Sequence, residues 1–513
     1  MSNAKQRAAA TTQSSFVKRM IDSHSVLGLA FAALIYVVSV SGALTLFVSE
    51  IKLWETPQSQ TSASASAKAI AAAANNAQVA SQEGFEILNV IVTAPNEFRP
   101  FLTVRLNERA DRNSPLISKD WLADANTGEL INSVDTPYAH LIEELHTDLL
   151  LPRPWGRYLV GLIGVAMFTL ILSGIFAHPT IVKDAFKLRL NRNARMAWTD
   201  IHNRLSVWGL PFHLVITFTG AFLGIAGITV AALAMLAYQG DREAAIQVIQ
   251  GPQAIMEAPM MAAPPDYVGM LRSSAASDRE FSLLVANNPR HSGHTTSVAY
   301  YEAGILSMRT SDIYRNSGEF LEKFGGRGSP AGSRLFGMVQ PLHYGTFGGY
   351  PIKFLYFVLS LALTYITSTG MMIWFKRKQQ QGQPKIKSEA AWRGMTTGLS
   401  FAMALATVLM IAGFTQSLTM AFVICWLASF AIIFWSKHPL AMVRIHYFAI
   451  GTVLCLCALT QLPIAMDADA AGKPILYGIN LAVFIVGVGF AWSGHRLRPA
   501  KRGALEAHTE LPA

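Results

Sequence analysis

Residues 199–220 read TDIHNRLSVWGLPFHLVITFTG. A polar start passes into an apolar run long enough to enter a bilayer, and the run carries two histidines, His202 and His213. On one continuous helix, eleven residues make about three turns, so both rings share a face about 16 Å apart along the axis. Pro211 lies between them and would bend that geometry. An ionisable ring inside an apolar span is costly, so it reads as functional.

The pattern occurs twice. Residues 21–43 read IDSHSVLGLAFAALIYVVSVSGA. His24 precedes Ser41-Gly42-Ala43 by 17 positions, as His202 precedes Thr219-Gly220-Ala221, and an Asp stands two positions before each histidine (Asp22, Asp200). The partner segments repeat as well. Leu145-His146 is followed by Gly156-Arg157-Tyr158 and an apolar run to Ser173-Gly174. Leu342-His343 is followed by Lys353-Phe354-Leu355 and an apolar run to Thr369-Gly370. Arg157 to Ser173 and Lys353 to Thr369 are both 16 positions. The chain to about residue 375 therefore reads as one unit used twice: helix, extramembrane domain, helix.

The whole chain has 513 residues, 51% apolar and 14% charged, well below the charge content of a soluble domain. Eight runs are long enough to span, near 26–48, 158–177, 205–233, 354–375, 395–414, 418–435, 443–464 and 475–492. The first lacks a small-residue cleavage site and carries the repeat histidine, so it is not read as a cleaved signal peptide. Basic residues fall at 5–19, 183–195, 376–387, 437 and 496–502, all on one side if both termini are cytoplasmic. The net charge of +10 is thus a topology signal spread over separate loops, and no nucleic-acid footprint is read from it. The three cysteines, Cys425, Cys455 and Cys457, all lie in spans, so no disulfide framework is implied.

The expected fold class is a mainly α membrane protein with about eight transmembrane helices and small α+β periplasmic domains. In order come a cytoplasmic tail (1–20), a first span (21–50), an outside domain (51–156), a second span (157–178), a cytoplasmic loop (179–203) and a third span (204–238). A second outside domain (239–350), a fourth span (351–376), a C-terminal four-helix membrane domain (389–495) and a tail (496–513) follow. A helix is expected over 67–79, strands over 86–92 and 100–106, a strand–turn–strand over 121–130 with its turn at Asn126–Gly128, and strands over 281–286 and 297–301.

Six histidines sit at or inside the ends of the first four spans. His24, His178 and His202 are on the cytoplasmic side, His213 lies about a third of the way in, and His146 and His343 are on the outer side. A neutral imidazole on each of two helices is the donor set of a b-type haem. The repeat pairs His24 with His202 at one face and His146 with His343 at the other, with those four as haem-iron ligands. His178 and His213 are alternatives for the cytoplasmic pair. Two haems, one at each face, would form an electron path. Ser41, Gly42, Ser173, Gly174, Gly220 and Gly370 would allow close approach of helices or haem.

A lone histidine at a membrane interface is more often structural than a ligand, but four in two repeated positions at matching depths are a different case. Zinc fits poorly, because no cysteine stands near these histidines and they separate to two faces. His291 and His294 form a weak H-x-x-H signal on a loop. The glycine-rich stretch after Gly325 lacks the Lys-Ser/Thr of a phosphate loop, and no dinucleotide fingerprint follows a strand. Electrons must therefore come from elsewhere, a cytoplasmic reductase or a quinol.

At these residues the chain resembles the PepSY-associated transmembrane family of bacterial inner-membrane proteins. The motifs that carry the resemblance are Asp22-Ser23-His24, Leu145-His146, Ser173-Gly174 with His178, Asp200-Ile201-His202-Asn203, Leu210-Pro211-Phe212-His213, Thr219-Gly220, and Leu342-His343 with Thr369-Gly370. The stretch from Asp124 to Leu130 resembles the D-x-x-T-G-E turn of a PepSY domain. The resemblance covers about residues 15–380 and implies two haems between the helices, with reduction of a periplasmic ferric siderophore in iron uptake. The competing reading is a non-enzymatic PepSY protein that binds peptides or regulates a protease, its histidines structural. A permease built on the last four spans has thin support, since only Arg444 and His446 offer inward charge.

Overall fold

A computed structural model describes residues 2–57, 61–111, 113–133, 135–178, 180–181, 183, 186, 194–250, 259–275, 280–302, 306, 309–326 and 331–497. Much of the basic loop after the second span lies outside them, as do Arg498, Lys501 and Arg502, so the charge argument for topology rests on the sequence there.

The first half opens with α1 (Ser2–Thr45) and the short α2 (Val48–Glu55). Then come α3 (Ala67–Val79), strands β1 (Glu86–Thr93), β2 (Leu102–Arg109), β3 (Ile117–Ala123) and β4 (Leu130–Ser133), α4 (Pro137–Thr147) and α5 (Trp155–Ala177). The second half runs α6 (Ala194–Trp208), α7 (Leu210–Gly224), α8 (Ala226–Ala237), α9 (Arg242–Gln250) and α10 (Tyr267–Ala275). It continues through β5 (Glu280–Asn287), β6 (Thr295–Tyr301), β7 (Thr310–Arg315), β8 (Phe320–Phe324), α11 (Ala331–Tyr344) and α12 (Gly349–Gln380). The C-terminal helices are α13 (Ile386–Ile411), α14 (Leu418–Trp435), α15 (Pro439–Thr460), α16 (Leu462–Asp467) and α17 (Lys473–Arg496).

Among the described residues, seven helices are long and apolar enough to cross a membrane: α1 from Ser15, α5, α12, α13, α14, α15 with α16, and α17. The third expected span is broken. α6 and α7 meet at 72°, and only if that bent pair counts as one span does the number reach eight. The break falls at Gly209, and Pro211 at the start of α7 removes a backbone donor and crowds the preceding turn. The straight-helix relation between His202 and His213 therefore does not hold.

The two expected outside domains are one. Among the described residues, eight strands form a single antiparallel sheet in the order β4-β3-β2-β1-β5-β6-β7-β8. The halves join where β1 pairs with β5, from Asn89 opposite Asn287 to Thr93 opposite Leu283. Strand alternation explains its two faces. Leu102, Val104 and Leu106 of β2 are fully buried on the face covered by α3, each contributing about 1.5–3 kcal/mol of apolar burial. Arg105 of β2 points the other way, toward the membrane helices, and forms a bidentate pair with Asp120 at 2.7 and 2.9 Å. The β3–β4 turn is built as its sequence suggests: Asp124 Oδ1 accepts the Asn126 and Thr127 amides, and Gly128 has φ +76°. A Cβ there would meet the Ala69 carbonyl oxygen, so the turn packs directly on α3.

The C-terminal helices are not a detached module. They share a core with the first half, in which Val37, Ile51, Trp54, Tyr138 and Leu141 pack with Leu399, Met403, Phe422 and Leu476. Buried hydrogen bonds lock the contact: Trp54 Nε1 donates to Asn480 at 2.9 Å, and Thr407 Oγ1 bonds the Tyr138 hydroxyl at 3.0 Å.

Candidate functional site: two opposed histidine pairs

Within each half, two histidines are each seated on the backbone of another helix. His24 of α1 meets α5, where its Nδ1 lies 2.9 Å from the Leu170 carbonyl and 3.1 Å from Ser173 Oγ. His146, in the last turn of α4, returns the contact to α1, its Nδ1 3.0 Å from the Val38 carbonyl. The second half repeats the arrangement. His202 of α6 reaches the Ile366 carbonyl and Thr369 Oγ1 of α12, both at 3.0 Å. His343, in the last turn of α11, lies 3.0 Å from Thr219 Oγ1 of α7, beside the Ile216 carbonyl.

Four Ser/Thr-Gly pairs build these seats. In each, the histidine faces the carbonyl three residues before the Ser or Thr. The glycine then leaves room for the ring: a Cβ on Gly42, Gly174, Gly220 or Gly370 would stand 2.7, 3.3, 2.9 or 3.5 Å from a Cε1 of His146, His24, His343 or His202. A helix residue with a side chain would push the outer two rings away.

Across the halves the rings face one another. His24 and His202 have ring centres 6.3 Å apart, edge to face, and His146 and His343 stand 6.1 Å apart, nearly parallel at 21°. Nδ1–H donation to a carbonyl fixes the neutral tautomer with its lone pair on Nε2, as is usual for a metal-bound imidazole. Two metal–nitrogen bonds of about 2 Å, with roughly 1.1 Å from each nitrogen to its ring centre, set opposed imidazoles about 6 Å apart. The separations match that requirement. Among the described residues, no group of three or more His, Cys, Asp or Glu is placed to hold a bare metal ion. Two opposed imidazoles suit an ion whose other ligands come from a macrocycle.

The pair on the sheet side, His146 and His343, here called outer, opens on a cavity of about 1470 Å3 that runs up beneath the polar face of the sheet. His146 and His343 line it with Gly42, Gly164, Gly220 and Gly224, while Arg99 and Arg309 line its upper part. Burial holds both outer histidines below the usual range, and His343, which also feels the His146 ring, falls to about 3. Both rings are therefore neutral at physiological pH. Leu149 and Leu150, just after α4, have φ of 53° and 58°, a left-handed backbone that non-glycine residues rarely adopt. Asp148 steadies that turn through Arg153 at 2.8 Å.

The two remaining candidates stand apart from the pairs. His178 follows α5, and its Nδ1 faces the Thr180 hydroxyl at 3.4 Å. His213 is buried on α7 beside the Gly209 break and the Leu359 and Ser206 carbonyls, its Nε2 without a partner. His291 and His294 approach each other on the β5–β6 loop, ring centres 5.7 Å apart.

Sequence reading missed β7, β8 and the turn between them. The signal was present: Asn316-Ser317-Gly318-Glu319-Phe320 parallels Asn126-Thr127-Gly128-Glu129-Leu130, and both glycines have positive φ. It also missed what the Ser/Thr residues of the Ser/Thr-Gly pairs do for the rings.

Comparison with known proteins agrees with this picture. An uncharacterized protein of Pseudomonas aeruginosa is 26% identical over 282 residues, covering 52% of this chain and 71% of the other. Residues 21–377 match the family described as the PepSY-associated TM region, and those bounds enclose all four paired histidines. The protein is therefore a multi-pass membrane protein of the PepSY-associated transmembrane-region family.

Proposed function

We propose that this protein is a di-haem b electron carrier of the bacterial inner membrane, with both termini cytoplasmic. It would take electrons from a cytoplasmic reductase or quinol and reduce a ferric chelate, a ferric siderophore by the family resemblance, on the periplasmic side. The observation that carries the reading is the pair of opposed imidazoles at each end of the helix core, 6.3 and 6.1 Å between ring centres.

His24 and His202 would hold the inner haem, His146 and His343 the outer one. Bound haem supplies one-electron chemistry at iron. The chain's part is to fix the rings. The Leu170, Val38, Ile366 and Ile216 carbonyls accept hydrogen bonds from the Nδ1–H groups and leave each Nε2 lone pair free to bind iron. Glycines leave room for the rings beside the helices that seat them. The outer pair faces the cavity, where a chelate entering from outside would meet it. Each ferric ion accepts one electron, and the ferrous product is held less tightly by hard oxygen ligands.

Purified protein from haem-replete cells should show a Soret band and two haems per chain. His146→Ala and His343→Ala should each leave one haem and abolish ferric reduction, while His24→Ala should remove the other. Absence of a Soret band would end the reading. Haem-loaded protein that reduces no ferric chelate would end the assignment of substrate, and unchanged ferric reduction in the double outer variant would favour a peptide-binding or protease-regulating role.

A further inference from the structure

We infer that Arg99 and Arg309 form an anion-binding site at the top of the outer cavity, shaped to grip a carboxylate. Each half supplies one arginine, and both are pinned at the seam where the half-sheets join. Arg99 closes the turn after β1: Asn96 Oδ1 accepts the Phe98 and Arg99 amides, and Arg99 Nη2 donates to the Ala94 carbonyl at 3.2 Å. Arg309, just before β7, donates its Nε to Ser282 Oγ at 2.8 Å. The two anchors are themselves joined, since the Ala94 amide donates to the Ser282 carbonyl at 3.0 Å.

The other cations lining the cavity are already answered. Arg105 pairs with Asp120, Lys353 with Glu50, Arg153 and Arg157 with Asp148, and Lys52 with Glu143. Among the described residues, no carboxylate forms an ion pair with Arg99 or Arg309, and the buried Arg99 Nε has no partner. Burial and the nearby Arg309 charge lower the Arg99 guanidinium to about 10. Two half-buried like charges are costly unless something anionic joins them. A carboxylate matches the guanidinium fork with two parallel bonds, and it would cancel the repulsion between the two cations.

The carboxylate has two sources: a soluble ligand entering the cavity, or a propionate of a haem held by His146 and His343. Only the second rests on the two-haem reading. Iron-free citrate is the soluble probe. Its binding to full-length protein in detergent is followed by calorimetry, beside a haem count per chain. The Arg99→Gln, Arg309→Gln double variant is compared with Arg105→Gln, which also removes a cavity charge, but one already paired.

Citrate binding weakened at least tenfold in the double variant, within twofold in Arg105→Gln and with haem content unchanged, supports the soluble source. Loss of one haem in the double variant, retained in Arg105→Gln, with no citrate bound by wild type, supports the propionate. Wild type that binds no citrate, with a double variant that keeps all its haem or a preparation that has none to lose, overturns the site, as does unaltered citrate binding in the double variant. Arginine-dependent citrate binding by protein that never shows haem would keep the site and end the electron-transfer proposal. If the double variant does not fold, Arg309→Gln alone separates the same outcomes, with at least threefold weakening as the supporting result.

Discussion

The halves place their histidines alike but secure them differently. In the first half, α4 carries His146 and is clamped on several sides. Its Tyr138, Ala139, Leu141, Ile142 and Leu145 are buried in a core shared with α2 and the C-terminal helices. Both carboxylate oxygens of Glu55 cap its amino end, accepting the Tyr138 and Ala139 amides at 2.7 and 3.0 Å. In the second half, α11 carries His343 with far less cover. Its described side chains other than Pro341 are half-buried or exposed, and Leu335 is 67% exposed. The same contrast separates Asp22, exposed, from Asp200, buried. One copy of the unit is buttressed by added helices, while the other hangs on the first.

The tie between the copies is Lys353 at the start of α12. It reaches Glu50 of α2, and both side chains are almost fully buried, at 6% and 3% exposed. Its ammonium also stands 4.2 Å from the Phe98 ring centre. Arg157, at the matching place in the first half, is 44% exposed and lies 3.8 Å from Asp148. Lys353→Ala strands the Glu50 carboxylate in a dry site and should cost about 3–5 kcal/mol, whereas Arg157→Ala should cost about 1 kcal/mol or less. Thermal unfolding in detergent reads both. Equal losses would erase the distinction between the halves. Lys353→Met combined with Glu50→Leu should recover most of the loss, because removing both charges leaves no orphan.

The next comparison tests the clamp itself. Leu141→Ala on α4 opens a cavity in the shared core and should cost about 2–5 kcal/mol. Leu335→Ala on α11 removes an exposed side chain and should fall within about 0.5 kcal/mol of wild type. A large effect at Leu335 would mean that α11 is covered by something outside this chain.

The sequence made the spans, the histidine repeat and most strands legible, because each leaves a local signature. Apolar runs announced α1, α5 and α12 to α17, and spacing alone assigned His24 to His202 and His146 to His343. Three features were not legible, each for a physical reason. The single sheet depends on β1 meeting β5, a pairing almost 200 residues apart that alternation within either strand cannot specify. The break at Gly209 was hinted at by Pro211, yet a proline in the first turn of a helix is also compatible with a straight span. The reciprocal seats were hidden because Ser41-Gly42 serves His146 of another helix, not His24 of its own, and intrahelical spacing says nothing about that choice.

The smallest predicted effect sharpens the contrast between the two faces of the membrane. Both ring pairs sit on glycines, but not equally closely. At the outer face a methyl group on Gly42 would stand 2.7 Å from His146 Cε1, and one on Gly220 would stand 2.9 Å from His343 Cε1. Neither ring can retreat without giving up its Nδ1 contact to α1 or α7. At the inner face a methyl group on Gly370 would stand 3.5 Å from His202 Cε1, an ordinary contact. Gly42→Ala should therefore cost about 1–3 kcal/mol of overpacking at the outer pair, and Gly370→Ala should be nearly neutral. In haem-loaded protein the first variant should lose or weaken the outer haem alone, read as a partial fall in Soret absorbance with the inner haem retained. If Gly370→Ala proved as damaging as Gly42→Ala, the inner rings would have to be seated as tightly as the outer ones. The cavity at the outer pair, and not the fit of its glycines, would then be what distinguishes the two faces.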